Sequence, residues 1–337
     1  MSVFIIAEAG ANHNRNFKQA TALIDAAVAA SADAVKFQTY SSETLYSRNT
    51  PDFAGYKDIN KLIKDIEIPR WWQKDLKLYC DDVGIEFMST PFDESAVDEL
   101  VTLGVKRLKV AGFESTDPRF VKMVASANLP MIVSAGIGSN IFSINNIINW
   151  CKEVQETPDI TVLHCNNAYP TPDKDINLDR IDAIRGMYPD VRVGLSDHTR
   201  GILAPVLSVA KGVACIEKHY TLSKMLPGPD HPFALEPREL SEMVQNIRIA
   251  ETMCTDTQKL LTSSEDAFMN AMRSVVISVP VKKGEKFTEE NITTKRPFLP
   301  GNIHSSRYYD VLGQIALNDY DADDFVFDID RQNSEKG

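Results

Sequence analysis

The chain alternates short apolar segments rich in β-branched residues with stretches whose apolar residues recur at helical spacing, and this repeat limits its fold more than any other feature. After the first apolar segment, for example, Ala20, Leu23, Ile24, Ala27 and Val28 fall on one face of a predicted helix. Strands joined by helices in this way pair in parallel, because a parallel connection needs a long crossover. The eight predicted strands are FIIAE (4–8), DAVKFQ (33–38), IEFMS (85–89), RLKVA (107–111), MIVSA (131–135), TVLHC (161–165), VRVGLS (191–196) and VACIEK (213–218).

Eight such units in about 250 residues match the length and repeat number of a (β/α)8 TIM barrel. Residues 1–254 are therefore predicted to form a barrel of the α/β class. The alternative is a doubly wound open sheet, which would place a glycine-rich phosphate-binding turn after the first strand. The turn at that place reads AEAGANHN (7–14) and lacks the GxGxxG spacing, so the sequence favours the barrel.

The last part of the chain differs in kind from the barrel. Residues 255–271 are polar and carry no strand pattern, which predicts a linker. Residues 272–337 contain a strand, a Lys-Lys-Gly turn and a proline-rich loop. This pattern predicts a small, β-rich second domain.

Composition excludes several classes of function. The chain has 36 basic and 47 acidic side chains, and its net charge of −11 disfavours binding to nucleic acid or to an anionic membrane. No apolar run approaches the roughly 18 to 20 residues that a membrane span needs, and the first residues lack the features of a signal peptide. We therefore expect a cytoplasmic protein. Its five cysteines include no CxxC pair and are expected to be buried thiols.

Polar side chains stand at the carboxyl end of nearly every predicted strand. In barrel enzymes the active site lies at that end, because the loops that follow the strands meet there at one mouth. The residues concerned are Glu8, Lys36, Gln38, Ser89, Thr90, Lys109, Ser134, Asn166, Asn167, Tyr169, Ser196, Asp197, His198, Glu217 and His219.

Two of these residues, Lys36 and Lys109, lie within strands that the pattern predicts to be buried. A buried ammonium group needs an anionic partner, and two of them beside several hydroxyl groups would suit a phosphate or carboxylate ligand. The alternative for each lysine is a salt bridge to Glu8 or Glu217 inside the barrel. The sequence thus predicts an anionic ligand.

His198 and His219 end neighbouring strands and are predicted to face one another across the mouth. Neutral imidazoles combined with oxygen ligands and open positions suit Mn²⁺, Mg²⁺, Fe²⁺ or Co²⁺, whereas the lack of nearby thiolates disfavours structural zinc. The alternative is a pair of core histidines whose hydrogen-bond partners are Asp197 and Glu217.

Two further histidines lie in loops on the mouth side. His13 follows the first strand, where a ligand contact and a helix cap are equally compatible with its position. The segment LPGPDH (226–231) has a stiff Pro-Gly-Pro backbone, which favours Asp230 and His231 being held towards a substrate.

The motifs together resemble the sialic acid synthase family, including its legionaminic and pseudaminic acid synthases, whose members condense phosphoenolpyruvate with an N-acylated aminosugar. The tail is similar to the family's antifreeze-like SAF domain, most clearly in KKGEKFTEENITTKRP (282–297). The motifs that carry the resemblance are IIAEAGANHN (5–14), DAVKFQTY (33–40), STPFD (89–93), RLKVAGFE (107–114), HCNNAYPTP (164–172), GLSDHT (194–199), EKHYT (217–221) and GPDH (228–231).

The resemblance implies a TIM barrel followed by an SAF domain in a domain-swapped homodimer, with Arg296 of one chain capping the barrel of the other. It implies a divalent metal, Mn²⁺ first and Mg²⁺ or Co²⁺ as alternatives, bound by His198 and His219, with Glu8 and Glu217 as further catalytic groups. The implied phosphoenolpyruvate contacts are Lys36, Thr90, Lys109, Ser134, Asn167 and Ser196, and the implied sugar contacts are Gln38, Tyr169, Asp230 and Arg296.

Some features leave the exact reaction open. Family members often carry serine where Gly112 stands, so one hydroxyl donor to the phosphate is expected to be missing. The AGFE stretch (111–114) is more similar to the pseudaminic branch, whereas GPDH (228–231) is more similar to the sialic and legionaminic branches. The alternatives are another metal-dependent phosphoenolpyruvate-condensing or aldolase barrel and, in a different class, a glycan- or ice-binding protein with a degenerate barrel.

Overall fold

The computed structural model describes residues 2–52, 55–254 and 262–327. The chain divides into two compact units, Met1–Thr255 and Asp256–Gly337. Of the predicted linker, residues 255–261 lie outside the described residues, and its remainder contains a short 3-10 helix, Asp266–Ala271.

The larger unit is a nearly closed barrel of eight parallel strands, as the sequence predicts. The strands follow one another in the order β3-β2-β1-β8-β7-β6-β5-β4, so that β1 lies beside β8. All eight predicted strands are present, with ends that differ by up to two residues. They are β1 Phe4–Gly10, β2 Ala34–Thr39, β3 Glu86–Pro91, β4 Leu108–Val110, β5 Met131–Ala135, β6 Ile160–Cys165, β7 Arg192–Asp197 and β8 Cys215–His219.

Helices connect the strands and cover the barrel. The predicted helix after the first strand is confirmed as α1, which buries Ala20, Leu23, Ile24 and Ala27 and leaves Val28 exposed at the margin of this face. The helices are α1 Phe17–Ala29, α2 Ile59–Ile66, α3 Trp72–Val83, α4 Glu94–Thr102, α5 Pro118–Ala125, α6 Ile144–Lys152, α7 Asp179–Met187, α8 Leu203–Val209 and α9 Pro237–Met253.

The barrel interior is built in layers. One apolar cluster inside it contains Ile6, Ala34, Met88, Ile132, Leu163 and Cys215. Because side chains alternate along a strand, the residue two positions further along each strand also points inward. Those residues are Glu8, Lys36, Thr90, Ser134, Cys165 and Glu217. The barrel interior therefore has an apolar layer and, next to it towards the carboxyl ends of the strands, a polar layer.

An ion pair joins β3 and β4, the first and last strands in the order given above. Arg107, just before β4, donates to Glu86 of β3 through Nε at 2.7 Å and Nη2 at 3.2 Å. The same guanidinium carbon lies 4.2 Å from the ring centroid of Phe4. This bidentate contact holds β3 and β4 together at the end of the barrel opposite the mouth.

The smaller unit has its own core. Strand β9, Ser274–Ile277, pairs antiparallel with β10, Ile292–Lys295, and a short helix α10, Tyr308–Val311, follows. Val275, Ile277, Phe287, Ile292 and Val311 belong to the cluster of buried side chains around them. Among the described residues, none of the helices combines the length and apolar character needed to cross a bilayer.

Close packing inside the barrel leaves no room for a side chain at Gly194 of β7. A Cβ at this position would lie 2.4 Å from the carbonyl oxygen of Cys215 and 2.5 Å from Cδ2 of Leu163. We expect Gly194→Ala to lower the free energy of unfolding by about 1 to 3 kcal/mol, because overpacking a tight core forces backbone shifts. Denaturant unfolding monitored by circular dichroism measures this change.

Gly186 in α7 is the matched control, because nothing lies within 4 Å of a Cβ built on it. Gly186→Ala should leave stability unchanged or raise it by up to about 1 kcal/mol through helix propensity. If the Gly194 variant unfolded at the wild-type denaturant concentration, the tight packing of β7 against β6 and β8 would be contradicted.

Candidate active site

Lys36 lies at the centre of the polar layer and is almost completely buried. Its Nζ is 2.8 Å from Oε2 of Glu8 and 3.7 Å from Oε2 of Glu217, and it donates to Oγ1 of Thr90 at 2.8 Å. These contacts join β1, β2, β3 and β8. The alternative expectation, a salt bridge inside the barrel, is therefore confirmed for Lys36.

Lys109 of β4 approaches the same carboxylate from the other side. Its Nζ donates to Oγ of Ser134 at 2.8 Å and to the carbonyl oxygen of Val110 at 3.0 Å. It lies 3.8 Å from Oε1 of Glu217, which is too long for a hydrogen bond but close enough for Coulomb attraction. Glu217 is thus placed between the two ammonium groups, and Oγ of Ser196 donates to it at 3.2 Å.

The two carboxyl groups have opposite pKa shifts. Burial raises the pKa of Glu8 to about 7, with the charge of Glu217 adding to it and the Lys36 ammonium opposing it. Burial also favours the neutral form of Glu217, but Lys109 and Lys36 outweigh this effect and hold its pKa below the ordinary value. At neutral pH the layer therefore combines two lysines with an ionised Glu217 and a Glu8 that is only partly ionised, which leaves it suited to an anion.

Cys165 is a member of this layer that the sequence interpretation missed. It was expected to be an ordinary buried thiol, and it is buried, but it points inward between the strands of Ser134 and Ser196. Its Sγ lies 4.0 Å from Nδ1 of His198. The signal that could have found it is the two-residue period of β6, which places Leu163, Cys165 and Asn167 on one face.

The two predicted metal ligands lie side by side at the mouth. The ring centroids of His198 and His219 are 5.4 Å apart. Nδ1 of His198 faces the carbonyl oxygen of Asn166 at 2.7 Å. Burial lowers the pKa of both imidazoles, which keeps them neutral and able to bind a cation.

The environment of His219 fits a metal ligand. Its Nδ1 is buried without a hydrogen-bond partner, because Oδ2 of Asp230 is 3.6 Å away. Across the described ranges, no group of three or more His, Cys, Asp or Glu side chains is arranged to hold a metal. The two neutral imidazoles would fill two ligand positions of a divalent ion, and oxygen atoms of substrate or water would have to fill the others.

Asp197 does not serve the histidines as the core-histidine alternative expected. Its Oδ2 lies 2.5 Å from Nζ of Lys218, and both side chains are about 1% exposed. Its carboxylate also accepts the backbone N–H of Thr199 at 2.9 Å. The pair faces the helices, and each member directly precedes one histidine. The sequence interpretation missed Lys218, although a lysine on the outward face of a buried strand requires an acidic partner.

Asn167 explains the glycine at position 112. Its Oδ1 accepts the backbone N–H of Ile137 at 2.7 Å, and its Nδ2 donates to the hydroxyl of Tyr169 at 3.2 Å. A Cβ on Gly112 would lie 2.7 Å from that Oδ1, and one on Gly136 would lie 1.8 Å from it. The amide of Asn167 thus occupies the space that a side chain at position 112 would need.

Two of the four predicted sugar contacts, Tyr169 and Asp230, lie beside the histidines, and a third, Gln38, contacts Glu8. Nε2 of Gln38 donates to Oε1 of Glu8 at 2.8 Å. The Tyr169 ring is centred 4.2 Å from His198, and burial raises the pKa of Asp230 to about 6. The fourth, Arg296, follows β10 in the smaller unit and is exposed, and its role stays a prediction.

Two loop histidines are structural. His13 is buried, accepts the N–H of Arg15 at 3.0 Å and meets Trp72 edge-on. The helix-cap expectation is wrong, because the cap of α1 is Asn16. The expectation that His231 is held towards a substrate is wrong. It is fully buried, and its ring nitrogens contact Thr221 and Asn14.

Comparison with known proteins shows the family to which the chain belongs. The NeuB family model matches residues 23–259, and the SAF domain model matches residues 272–328. The N,N'-diacetyllegionaminic acid synthase of Campylobacter jejuni is 37% identical, over 96% of this chain and 98% of that protein. A pseudaminic acid synthase of the same species is also 37% identical, over 97% of this chain and 96% of that protein.

A solved structure leads to the same family. The N-acetylneuraminic acid synthetase of Leptospira borgpetersenii has a TM-score of 0.73 and 32% identity, covering 80% of this chain and 91% of that one. The resemblance expected from the motifs is thereby confirmed, and the chain belongs to the NeuB family.

Proposed function

We propose that this chain is a nonulosonic acid synthase, a transferase that condenses phosphoenolpyruvate with an N-acylated aminosugar and releases phosphate. The acceptor is N-acetylmannosamine or a diacetamido-trideoxyhexose. One observation carries the proposal: Lys36, Lys109 and Glu217 meet in a buried layer directly below His198 and His219. The names of the relatives support the same reaction. Because phosphoenolpyruvate is an intracellular metabolite, a cytoplasmic location is part of the proposal.

The phosphate of the donor binds in the polar layer. Lys36 and Lys109 supply charge, and Thr90, Ser134 and Ser196 supply hydroxyl groups that already contact the lysines or Glu217. Asn167 lies beside this layer. Charge-assisted hydrogen bonds of this kind suit a phosphate and a carboxylate on one small molecule.

The aminosugar binds above, in its open-chain form, next to Gln38, Tyr169 and Asp230. His198 and His219 would hold a divalent ion, Mn²⁺ first and Mg²⁺ or Co²⁺ as alternatives, which when bound supplies Lewis-acid polarisation of an aldehyde oxygen. The neutral state of both rings and the unpartnered Nδ1 of His219 support this assignment.

The carboxylates have separate tasks in bond formation. Carbon 3 of phosphoenolpyruvate attacks the aldehyde carbon, which leaves an alkoxide on the sugar and positive charge at carbon 2. Ionised Glu217 stabilises that charge. Water adds to carbon 2, and Glu8, whose pKa of about 7 suits proton exchange, takes a proton from it and returns one to the alkoxide. The bond between carbon 2 and the phosphate oxygen then breaks while the hydroxyl group on carbon 2 gives its proton to the departing phosphate, which yields the 2-keto acid and phosphate.

A panel of acceptors tests the proposed function. Purified protein is mixed with phosphoenolpyruvate, Mn²⁺ and one acceptor, and phosphate release and product mass are followed. A simple sugar phosphate serves as the comparison acceptor, and the test acceptors are N-acetylmannosamine and two diacetamido-trideoxyhexoses. We expect acceptor-dependent phosphate release with one of them. Release only with a simpler sugar phosphate would favour the alternative condensing enzyme, and no release with any acceptor would contradict catalysis of this kind.

Replacing Lys36 or Lys109 by Met should mainly raise KM for phosphoenolpyruvate. Loss of a charged hydrogen bond of about 1.5 to 3 kcal/mol corresponds to a rise of about 10- to 100-fold. Steady-state kinetics with each substrate varied in turn measures the effect. Lys106→Met is the matched control, because Lys106 is exposed three positions before Lys109. Equal rises in KM for both substrates would contradict the assignment.

Replacing His219 by Ala should lower kcat by about 1,000-fold, because the aldehyde is no longer polarised. The variant should also bind Mn²⁺ more weakly, which electron paramagnetic resonance of free Mn²⁺ measures without turnover. His304→Ala in the smaller unit is the control. Full wild-type activity after chelation, with no metal added back, would rule out the proposed role of the two histidines.

We infer that Arg296 reaches the N-acyl group of the sugar in the barrel of a second chain. Arg296→Ala should raise KM for the aminosugar and leave that for phosphoenolpyruvate nearly unchanged, whereas Lys286→Ala, an exposed cation of the same unit, should change neither. Mixing Arg296→Ala with Lys109→Met chains should restore about one quarter of wild-type sites, if the dimer is symmetric and swapped. No gain on mixing would mean that Arg296 acts within its own chain.

A further inference from the structure

His231 joins three segments on the mouth side of the barrel. Its Nδ1 lies 2.6 Å from Oγ1 of Thr221, just after β8, and its Nε2 lies 3.2 Å from Oδ1 of Asn14, in the loop after β1. The ring itself belongs to the loop 226–231 and is 0% exposed. We call the three residues Asn14, Thr221 and His231 the loop bridge.

The backbone on both sides of His231 is arranged to reach it. Asn14 has φ of +48°, a left-handed conformation that residues other than glycine rarely adopt. Gly228 has φ of +147°, and a Cβ built on it would lie 2.8 Å from Cδ2 of His231. Strained backbone of this kind persists where surrounding contacts hold it in place.

The result of this arrangement is the placement of Asp230. Its backbone carbonyl accepts the N–H of Ala234 at 3.2 Å, so the loop turns back at this residue. Its Oδ2 is 3.6 Å from Nδ1 of His219 and would lie 3.4 Å from a Cβ on Gly10. The histidine ring is therefore anchored in the protein while the neighbouring carboxylate is presented at the mouth.

We propose that the loop bridge is a positioning device that fixes the Asp230 carboxylate beside His219, where it accepts a hydrogen bond from a hydroxyl group of the acceptor sugar. His231 and Asn14 are positioning residues in this scheme, because neither reaches the substrate. The proposal rests on the proposed function, since it assigns the bridge to the acceptor and not to phosphoenolpyruvate. A carboxylate displaced by about 1 Å loses much of its orienting effect.

Asn14→Gly separates positioning from folding. The substitution removes the hydrogen-bond acceptor for His231, but glycine adopts positive φ without strain, so thermal stability should be unchanged or higher. We expect KM for the aminosugar to rise about tenfold, with kcat less affected and KM for phosphoenolpyruvate unchanged. Asn14→Asp keeps an oxygen acceptor at the same place and should restore most of the lost affinity.

A double-mutant cycle shows whether Asn14 acts through Asp230. If it does, Asn14→Gly should add little to the effect of Asp230→Asn on KM for the aminosugar. Additive effects, an unchanged KM in Asn14→Gly, or equal changes in KM for both substrates would overturn the proposal.

Hydrogen–deuterium exchange of the loop 226–231 gives a readout independent of turnover. Faster exchange in Asn14→Gly than in wild type supports the bridge, and unchanged exchange overturns it. Wild-type protein that released no phosphate with any acceptor would defeat the proposed function, while this comparison would still decide whether the bridge holds the loop.

Discussion

The structure depends on burying two lysines and two glutamates at the centre of a barrel. Each ion alone would lose several kcal/mol on leaving water, and only close partners offset that loss. Lys36 has Glu8 at 2.8 Å, and Glu217 has an ammonium group on either side at 3.7 and 3.8 Å. Because these groups come from four different strands, the strand register that brings them together is also the condition for the site.

The alternation of side chains along the strands divides the polar residues between two tasks. On β7 and β8, Ser196, His198, Glu217 and His219 point into the barrel, while Asp197 and Lys218 point to the helices and pair there. The inward residues offer charge and imidazole nitrogens to ligands, and the outward pair holds the two strand ends beside each other. An apolar layer lies below these residues on the axis of the barrel.

The pKa shifts follow from the same arrangement. Glu217 stays ionised because both ammonium groups face it, whereas Glu8 has only one close ammonium partner and a neighbouring carboxylate, so burial raises its pKa to about 7. Two carboxyl groups of one layer thereby acquire different protonation states at neutral pH, which is the condition for one to stabilise positive charge and the other to carry a proton.

Much of the fold could be predicted from local periodicity in the sequence. The same is true of the polar side chains that point into the barrel. The two-residue period of the strands predicts which side chains share the inward face, namely Lys36, Thr90, Lys109, Ser134 and Ser196. The helical spacing of apolar residues predicts the helices that connect these strands. Val28 has the predicted helical spacing, but it lies at the margin of the apolar stripe of α1 and is exposed to solvent. Helical spacing alone does not say how wide the buried stripe is.

The remaining features depend on contacts between residues far apart in sequence. His231 meets Asn14 across 217 positions, and no local pattern reports that its ring is anchored there and not aimed at a ligand. The reason for Gly112 is a side chain 55 positions away, Asn167, whose amide fills the space above it. Lys218 and Asp197 are both evident in the sequence as charged residues of predicted strands. Their ion pair follows only once both side chains are known to face away from the barrel axis.

The most direct measurement is a crystal structure of the protein with Mn²⁺ and phosphoenolpyruvate, with anomalous scattering used to locate the metal. We expect one anomalous peak coordinated by imidazole nitrogens of both His198 and His219, and a phosphate within hydrogen-bonding distance of both Lys36 and Lys109. A metal peak remote from the two histidines, or phosphoenolpyruvate bound outside the barrel mouth, would contradict this expectation.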